Sequence, residues 1–349
     1  IPRLVELLEA EGDERVYVVL KTTGPHMEFW QIVRAGIQAA ATEYGVEPTI
    51  VGPRWEKDVE RQIEILSNVI EQEPDAILLA ASDYRRLVPL AERAAEQGIT
   101  LVTLDSALNS EVPVSFVATD NVAAGVKAGR EIDSLVPSGR PIALISHIPG
   151  VATAIDREEG VRRALSDRPD EQILGTYYSQ NEPERAYQIV RDLIREYPNL
   201  GGLVTMNENS TVGAGRAIRD LGLQDRVPLV GFDNSQEEIE FLEDGVVRAL
   251  VVQKPFNMGY LGIRAVTDAL RGPEGERVTE DERTWTFAGE AFVPRLELTR
   301  LDEDGATVVA RFPYPVTAGD LKEHGKVEDA DASPPAVEVQ VQEEPTWAT

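Results

Sequence analysis

The chain has 349 residues, of which 42% are hydrophobic and 27% charged, the balance of a globular protein long enough for two cores of ordinary size. Its 61 acidic against 34 basic side chains give a formal net charge of −27, a field that repels phosphate backbones and argues against nucleic acid as a partner. Cysteine is absent, which excludes disulfides, thiolate metal sites and a cysteine nucleophile, and no apolar run reaches the roughly eighteen residues of a membrane span.

In chain order, apolar runs alternate with helical patterns. Strands are predicted at VYVVL (16–20), TIVG (49–52), AILLA (76–80), TLVTLD (100–105) and SFVATD (115–120). Between them, apolar residues recur at three- and four-residue spacing over 29–45, 58–72 and 85–98, and two of these helices stop at a glycine, Gly45 and Gly98, where a left-handed cap is sterically free. The second half repeats the plan. Its strands are predicted at PIALIS (141–146), ILGTYYS (173–179), GLVTM (202–206), PLVGFD (228–233) and RALVVQ (248–253), with helices near 153–167, 183–197, 210–221, 235–244 and 257–271.

Continuous apolar strands joined by helices imply parallel sheets covered on both faces. The first strands of the halves begin at 16 and 141, and the acids ending TLVTLD and PLVGFD lie at 105 and 233, so the halves keep step at about 125 residues. Two similar α/β lobes follow from that self-similarity. The helix at 257–271 belongs to neither count and would complete a lobe if the chain crossed back. Beyond residue 283 the pattern weakens. RTWTFAGEAFV and ATVVARFPYPV are further strand candidates, and from 320 the chain is acidic, contains proline and reads as a tail or disordered end.

In open parallel sheets, ligands bind beyond the carboxyl ends of the strands. Asp105 and Asp233 both stand there; each could point into a cleft between the lobes, or cap the helix that follows or fix a turn. Other polar residues end strands in the same way: Lys21 after VYVVL, Thr119, Asp120 and Asn121 at the end of SFVATDN, Asn207 after GLVTM, and Gln253 after RALVV. Phe29 and Trp30 open the first helix. Carboxylates and amides exchange hydrogen bonds with vicinal hydroxyls, and flat rings cover the C–H faces of a sugar.

Motifs for chemistry are missing. There is no GxxxxGK[ST] phosphate loop, no GxSxG elbow and no HExxH, and GAGRAI (213–218) lacks the third glycine of a dinucleotide fingerprint and falls inside a helical pattern. His26, His147 and His324 are never at metal-ligand spacing, so neither metal nor cofactor is expected. Asp105 and Asp233 could in principle work as acid and base, but the amides around them suit binding better, and no enzyme is expected.

These residues resemble the periplasmic sugar-binding proteins of the ribose-binding type, the type I solute receptors of ABC transporters, over residues 16–290. EFWQIVRAG is similar to the family's aromatic pair at the first helix, VTLDS and FVATDN to its strand ends, and TAIDREEGV to its Arg-bearing helix start. LIREYPNLGGLVTMNENSTVGAGRAI is similar to the stretch with the pocket Asn, and VGFDNSQEEIEFLEDGVVRALVVQKPFNMG to the final pocket Asp and Gln. By this resemblance Phe29 and Trp30 would stack on the sugar, Asp105, Asn207, Asp233 and Gln253 would bind its hydroxyls, and Arg157 would add charge-assisted hydrogen bonds. Lys21 joins them from its strand end, and Thr119 and Asn181 fall at positions that line the family's cleft.

The resemblance implies two doubly wound parallel-sheet lobes, 13–119 with 254–283 and 120–253 with 284–318, followed by the acidic tail 319–349. Three crossings, near 119–122, 249–254 and 283–288, would form a hinge that closes the lobes on the ligand. The implied function is capture of a sugar or polyol and delivery to an ABC permease in the membrane. The receptor would be a monomer in the periplasm or tethered outside the membrane, with no signal segment in this chain. Met27-Glu28 replaces the family's Asn-Pro, Ala81 its third-strand Asn, and Ser106 the Arg after its first Asp. These departures leave the ligand open among pentoses, hexoses, inositol and autoinducer-2. The same fold also serves as the effector-binding core of lactose-repressor-type regulators, which needs a DNA-binding helix-turn-helix where IPRLVELLEAEGDER stands, and as sensor ectodomains.

Overall fold

The computed structural model describes residues 14–25 and 27–271, with the backbone of 297–302 and 305–306. Strands β1 (Val16–Val19), β2 (Thr49–Val51), β3 (Ala76–Leu79), β4 (Thr100–Leu104) and β5 (Ser115–Val117) form a parallel sheet in the order β2-β1-β3-β4-β5. Strands β6 (Ile142–Ser146), β7 (Ile173–Tyr178), β8 (Gly202–Thr205), β9 (Leu229–Phe232) and β10 (Ala249–Val252) form a second, in the order β7-β6-β8-β9-β10. That is the same order one repeat later. Two antiparallel strands, β11 (Glu297–Asp302) and β12 (Gly305–Ala306), extend the second sheet past β10. Central strands β3, β4, β6, β8 and β9 are buried along their whole length, whereas edge strands β2 and β7 are not. Continuous apolar runs mark the strands that need cover on both faces.

The first lobe carries helices α1 (Glu28–Tyr44), α2 (Val59–Ile70) and α3 (Val88–Glu96). The second carries α4 (Asn121–Leu135), α5 (Ala152–Ala164), α6 (Pro183–Glu196), α7 (Glu208–Asp220) and α8 (Gln236–Glu243). Local chemistry sets the ends. Asp58 accepts the N–H of Arg61 at the start of α2, Asp120 accepts that of Ala123 at the start of α4, and Gly45 ends α1 at φ 65°. The last helix among the described residues, α9 (Pro255–Arg271), returns to the first lobe, where Met258, Ile263, Val266 and Leu270 share a core with Val33 and Ile37 of α1.

Helix α4 has no counterpart among the predicted elements. Its sequence, NVAAGVKAGREIDSL, offers small residues where a helix usually shows large apolar ones, so its period is faint. The structure shows why. A Cβ on Gly125 would lie 2.1 Å from the carbonyl oxygen of Arg157, and one on Gly160 2.1 Å from that of Val122, so α4 and α5 meet backbone to backbone. The first lobe repeats the contact: a Cβ on Gly36 of α1 would lie 2.0 Å from Phe256 O, and one on Gly259 of α9 2.0 Å from Val33 O.

Other expectations need trimming. Strand β5 keeps only three residues of the six in SFVATD, because Asp120 leaves the strand to cap α4. Strand β11 lies between the two stretches expected to supply late strands. Those stretches, apart from Ala306, lie outside the described residues, as do residues 1–13, the crossing near 283–288 and the acidic segment 319–349.

Gly36→Ala should force α1 and α9 apart and lower unfolding free energy in urea by about 1–3 kcal/mol or more, the range for overpacking. A loss no larger than that of a surface substitution would show that the two helices separate without cost.

Candidate functional site

Residues that follow the carboxyl ends of strands in both sheets line one crevice, the place where open parallel sheets bind ligands. Lys21 and Asp105 follow β1 and β4 of the first lobe; Asn207, Asp233 and Gln253 follow β8, β9 and β10 of the second. With Phe29 and Trp30 from the first turn of α1 and Arg157 from α5, these eight side chains line one cavity, together with Met27, Glu56, His147 and Thr153. The two rings meet edge to face, with centroids 5.1 Å apart at 88°. Both also belong to the buried cluster beneath the cavity, so they are core and wall at once.

Asp105 and Asp233 have a shared backbone device. Each has a positive φ, 61° and 79°, a region non-glycine residues seldom enter. Each also donates its N–H to the next strand, Asp105 to Val117 O at 2.9 Å and Asp233 to Val251 O at 3.0 Å. Neither caps the helix after it, and at these positive φ values each also makes the turn that ends its strand. Asp105 Oδ2 accepts from Lys21 Nζ at 2.7 Å and from Ser106 Oγ at 3.2 Å. Asp233 Oδ1 accepts from Gln253 Nε2 at 2.6 Å, and its Oδ2 accepts from the N–H of Glu208 at 2.8 Å. Burial pushes the Asp233 carboxyl up, while Arg157, Gln253 and the Glu208 N–H pull it back down.

Lys21 is 1% exposed and serves a second acid, with Nζ 3.7 Å from Glu56 and 5.9 Å from the Trp30 ring centroid. Burial raises the Glu56 carboxyl, with Lys21 opposing, and its Oε2 accepts from Asn181 Nδ2 at 2.7 Å. Arg157 donates from Nε to Asn121 Oδ1 at 2.8 Å and from Nη1 to Met206 O at 2.7 Å, and its guanidinium carbon lies 4.6 Å from the Phe232 ring centroid. His147 Nε2 is 3.2 Å from Thr153 Oγ1, and its buried Nδ1 has no partner. Burial, reinforced by Lys21 and Arg157, holds this imidazole well below its ordinary pKa and hence neutral.

Thr119 and Asn181 stand one step behind the wall. Thr119 Oγ1 donates to Gln253 Oε1 at 2.9 Å. Asn181, at φ 59°, donates to Glu56, accepts from Asn207 Nδ2 at 2.6 Å and receives Asn209 Nδ2 on its carbonyl at 3.0 Å.

Four lining residues were not read from the sequence. Two carry a signal in the repeat itself. Glu56 is 125 residues before Asn181 and bonds to it, and Lys57 pairs with Glu182 at the same separation of 125, so residues related by the repeat touch across the crevice. The same offset carries Lys21 to within one residue of His147, which follows β6 as Lys21 follows β1. Met27 and Thr153 have no such mark.

A profile of the family described as "Periplasmic binding protein domain" matches residues 16–274, and the chain belongs to that family. It is 27% identical over 280 residues to the D-ribose/D-allose-binding protein of Pseudomonas aeruginosa, covering 77% of this chain and 88% of that one. A solved sugar transporter structure from Clostridium phytofermentans superposes with a TM-score of 0.72 at 33% identity, over 83% of this chain and all of the other. An ABC transporter solute-binding protein from Agrobacterium vitis, solved with bound D-fucose, gives 0.71 at 33% identity over 76% and 91% of the two chains.

Lys21→Met removes the cation between two buried carboxylates and should cost about 3–5 kcal/mol of stability. Combined with Asp105→Leu it should cost much less than the two single losses added together, as a double-mutant cycle in urea would read directly.

Proposed function

We propose that this chain is a solute-binding receptor that closes its two lobes on a neutral sugar or polyol and presents it to an ABC permease. The observation that carries this reading is the meeting of strand-end carboxylates and amides with the Phe29 and Trp30 rings in one buried cavity between the lobes. Carboxylates and amides suit hydroxyls, and rings suit the C–H faces of a pyranose or furanose. The charge balance supports a neutral ligand. Lys21 is already bound to Asp105, and Arg157 turns two of its nitrogens to protein acceptors, against acids at Glu56, Asp105 and Asp233. A sugar acid would bring an anion to a site whose cations are engaged. The relative named as a D-ribose/D-allose-binding protein and the solute-binding protein solved with bound D-fucose support the same ligand class.

In this reading Phe29 and Trp30 stack on the ring, Lys21, Asp105, Asn207, Asp233 and Gln253 take hydroxyls, and Arg157 adds a charged donor. Thr119 and Asn181 brace that wall from behind. The hinge divides the chain into 13–119 with 254–283 and 120–253 with 284–318. The receptor binds without chemistry, acts as a monomer and works outside the cytoplasmic membrane, in the periplasm or tethered there. No helix among the described residues is long and apolar enough to cross a membrane.

Thermal unfolding against D-ribose, D-allose, D-arabinose, D-fucose, xylitol and D-galacturonate tests the reading. A sugar at a hundred times its Kd should add about 2.7 kcal/mol to wild type and nothing to Asp233→Ala, while galacturonate should leave both unchanged. Silence from every neutral sugar on folded, ligand-free protein overturns it.

A further inference from the structure

The first turn of α1 carries both aromatic rings of the cleft, yet its own N-cap residue, Met27, makes no side-chain cap. The N–H groups of Glu28 and Phe29 reach across the cleft instead, each donating at 3.0 Å to one carboxylate oxygen of Glu208. Glu208 is the first residue of α7 in the second lobe and is 4% exposed. Its own N–H goes to Asp233. Glu28 in turn receives the N–H of Gln236, the first residue of α8, at 3.3 Å from both its oxygens. Three helix N-termini are thus capped by three carboxylates in a relay, and two of its links run between the lobes.

We infer that Glu208 is the positioning residue of closure: it fixes the aromatic start of α1 against the second lobe only when the lobes meet. The inference rests on the receptor reading. Around Glu208 stand Asp233 at the end of β9, Glu28 of α1 and Glu238 of α8, all acids, with Arg157 of α5 acting on Asp233. Burial pushes Glu208 up to about 7, the Phe29 N–H pulls it down, and Asp233 raises it again. With the lobes apart the carboxyl would face water and lose the burial that raises it above the ordinary value of 4.5. Between those values the closed form holds a proton that the open form lacks. Closure therefore strengthens as pH falls from about 7 toward about 4.5 and is level above 7.

The absence of native cysteine allows spin labels at Glu96→Cys and Glu196→Cys, exposed positions at the last residues of α3 and α6, to report the lobe separation. Closure and affinity are titrated with D-ribose, D-allose, D-arabinose and D-fucose at pH 5.5 and 7.5 in the parent and in Glu208→Gln and Glu208→Ala. The parent should bind up to about 20-fold more tightly at pH 5.5. Glu208→Gln, which keeps one acceptor for the two N–H donors and cannot titrate, should close less firmly than the parent, more firmly than Glu208→Ala, and lose that part of the pH response. Glu208→Ala should close poorly at both pH values. Glu56 titrates in parent and variant alike, whereas Asp233 and Glu238 lose a neighbouring charge in Glu208→Gln, so the difference reads Glu208 together with the acids coupled to it. An equal pH response in parent and Glu208→Gln, or undiminished closure by Glu208→Ala, overturns the inference and leaves the receptor intact. Failure of every sugar to close the parent overturns the receptor reading and this inference with it.

Discussion

A carboxylate that leaves water has to find donors in the protein, and the cleft is organised around that requirement. Asp105 takes Lys21, Asp233 takes Gln253 and a helix N–H, and Glu56 takes Asn181. The donors come from other strand ends, from the hinge and from the opposite lobe, so satisfying the acids also fixes how the two sheets stand against each other. A polyhydroxylated ligand extends the same logic, because each hydroxyl is one more donor for an acceptor-rich wall.

Much of this was legible beforehand because parallel sheets write themselves plainly: buried strands are unbroken apolar runs, and the residue that ends each run falls at the ligand edge. Asp105, Asn207, Asp233 and Gln253 could be named on that ground alone. Arg157 needed the family resemblance, since one arginine inside TAIDREEGV looks like any other on a helix. Glu56 sits in a loop between β2 and α2 with no strand end to announce it, and Met27 is an apolar residue that gives no hint of lining a polar site. Helix α4 went unread for a different reason. Its packing depends on what is missing at Gly125, and a period built from small residues carries almost no hydrophobic contrast.

The repeat proves more informative in three dimensions than along the chain. The sheets share one strand order, and each lobe opens with a helix held against a second helix by paired glycines, α1 with α9 and α5 with α4. In each pair the partner helix follows a crossing from the opposite lobe: α4 after β5, α9 after β10. The pairs Glu56 with Asn181 and Lys57 with Glu182 place residues one repeat apart in direct contact, which locates an approximate twofold axis through that side of the cleft. Lys21 and His147 then stand as counterparts, and the site's asymmetry begins there: a bound cation on one side, a neutral ring with an open nitrogen on the other.

The bond from Thr119 to Gln253 has a mechanical meaning. One residue lies where the chain leaves β5 for the second lobe, the other where it leaves β10 for the first, so the bond ties two connecting strands side by side. A pair of tied straps bends easily about the line through both and resists torsion and sideways shear. Such a tie favours motion of the lobes along the direction that opens and shuts the crevice. A molecule held between them would be gauged by its thickness in that direction, to which an axial hydroxyl, standing out of the ring plane, adds more than an equatorial one.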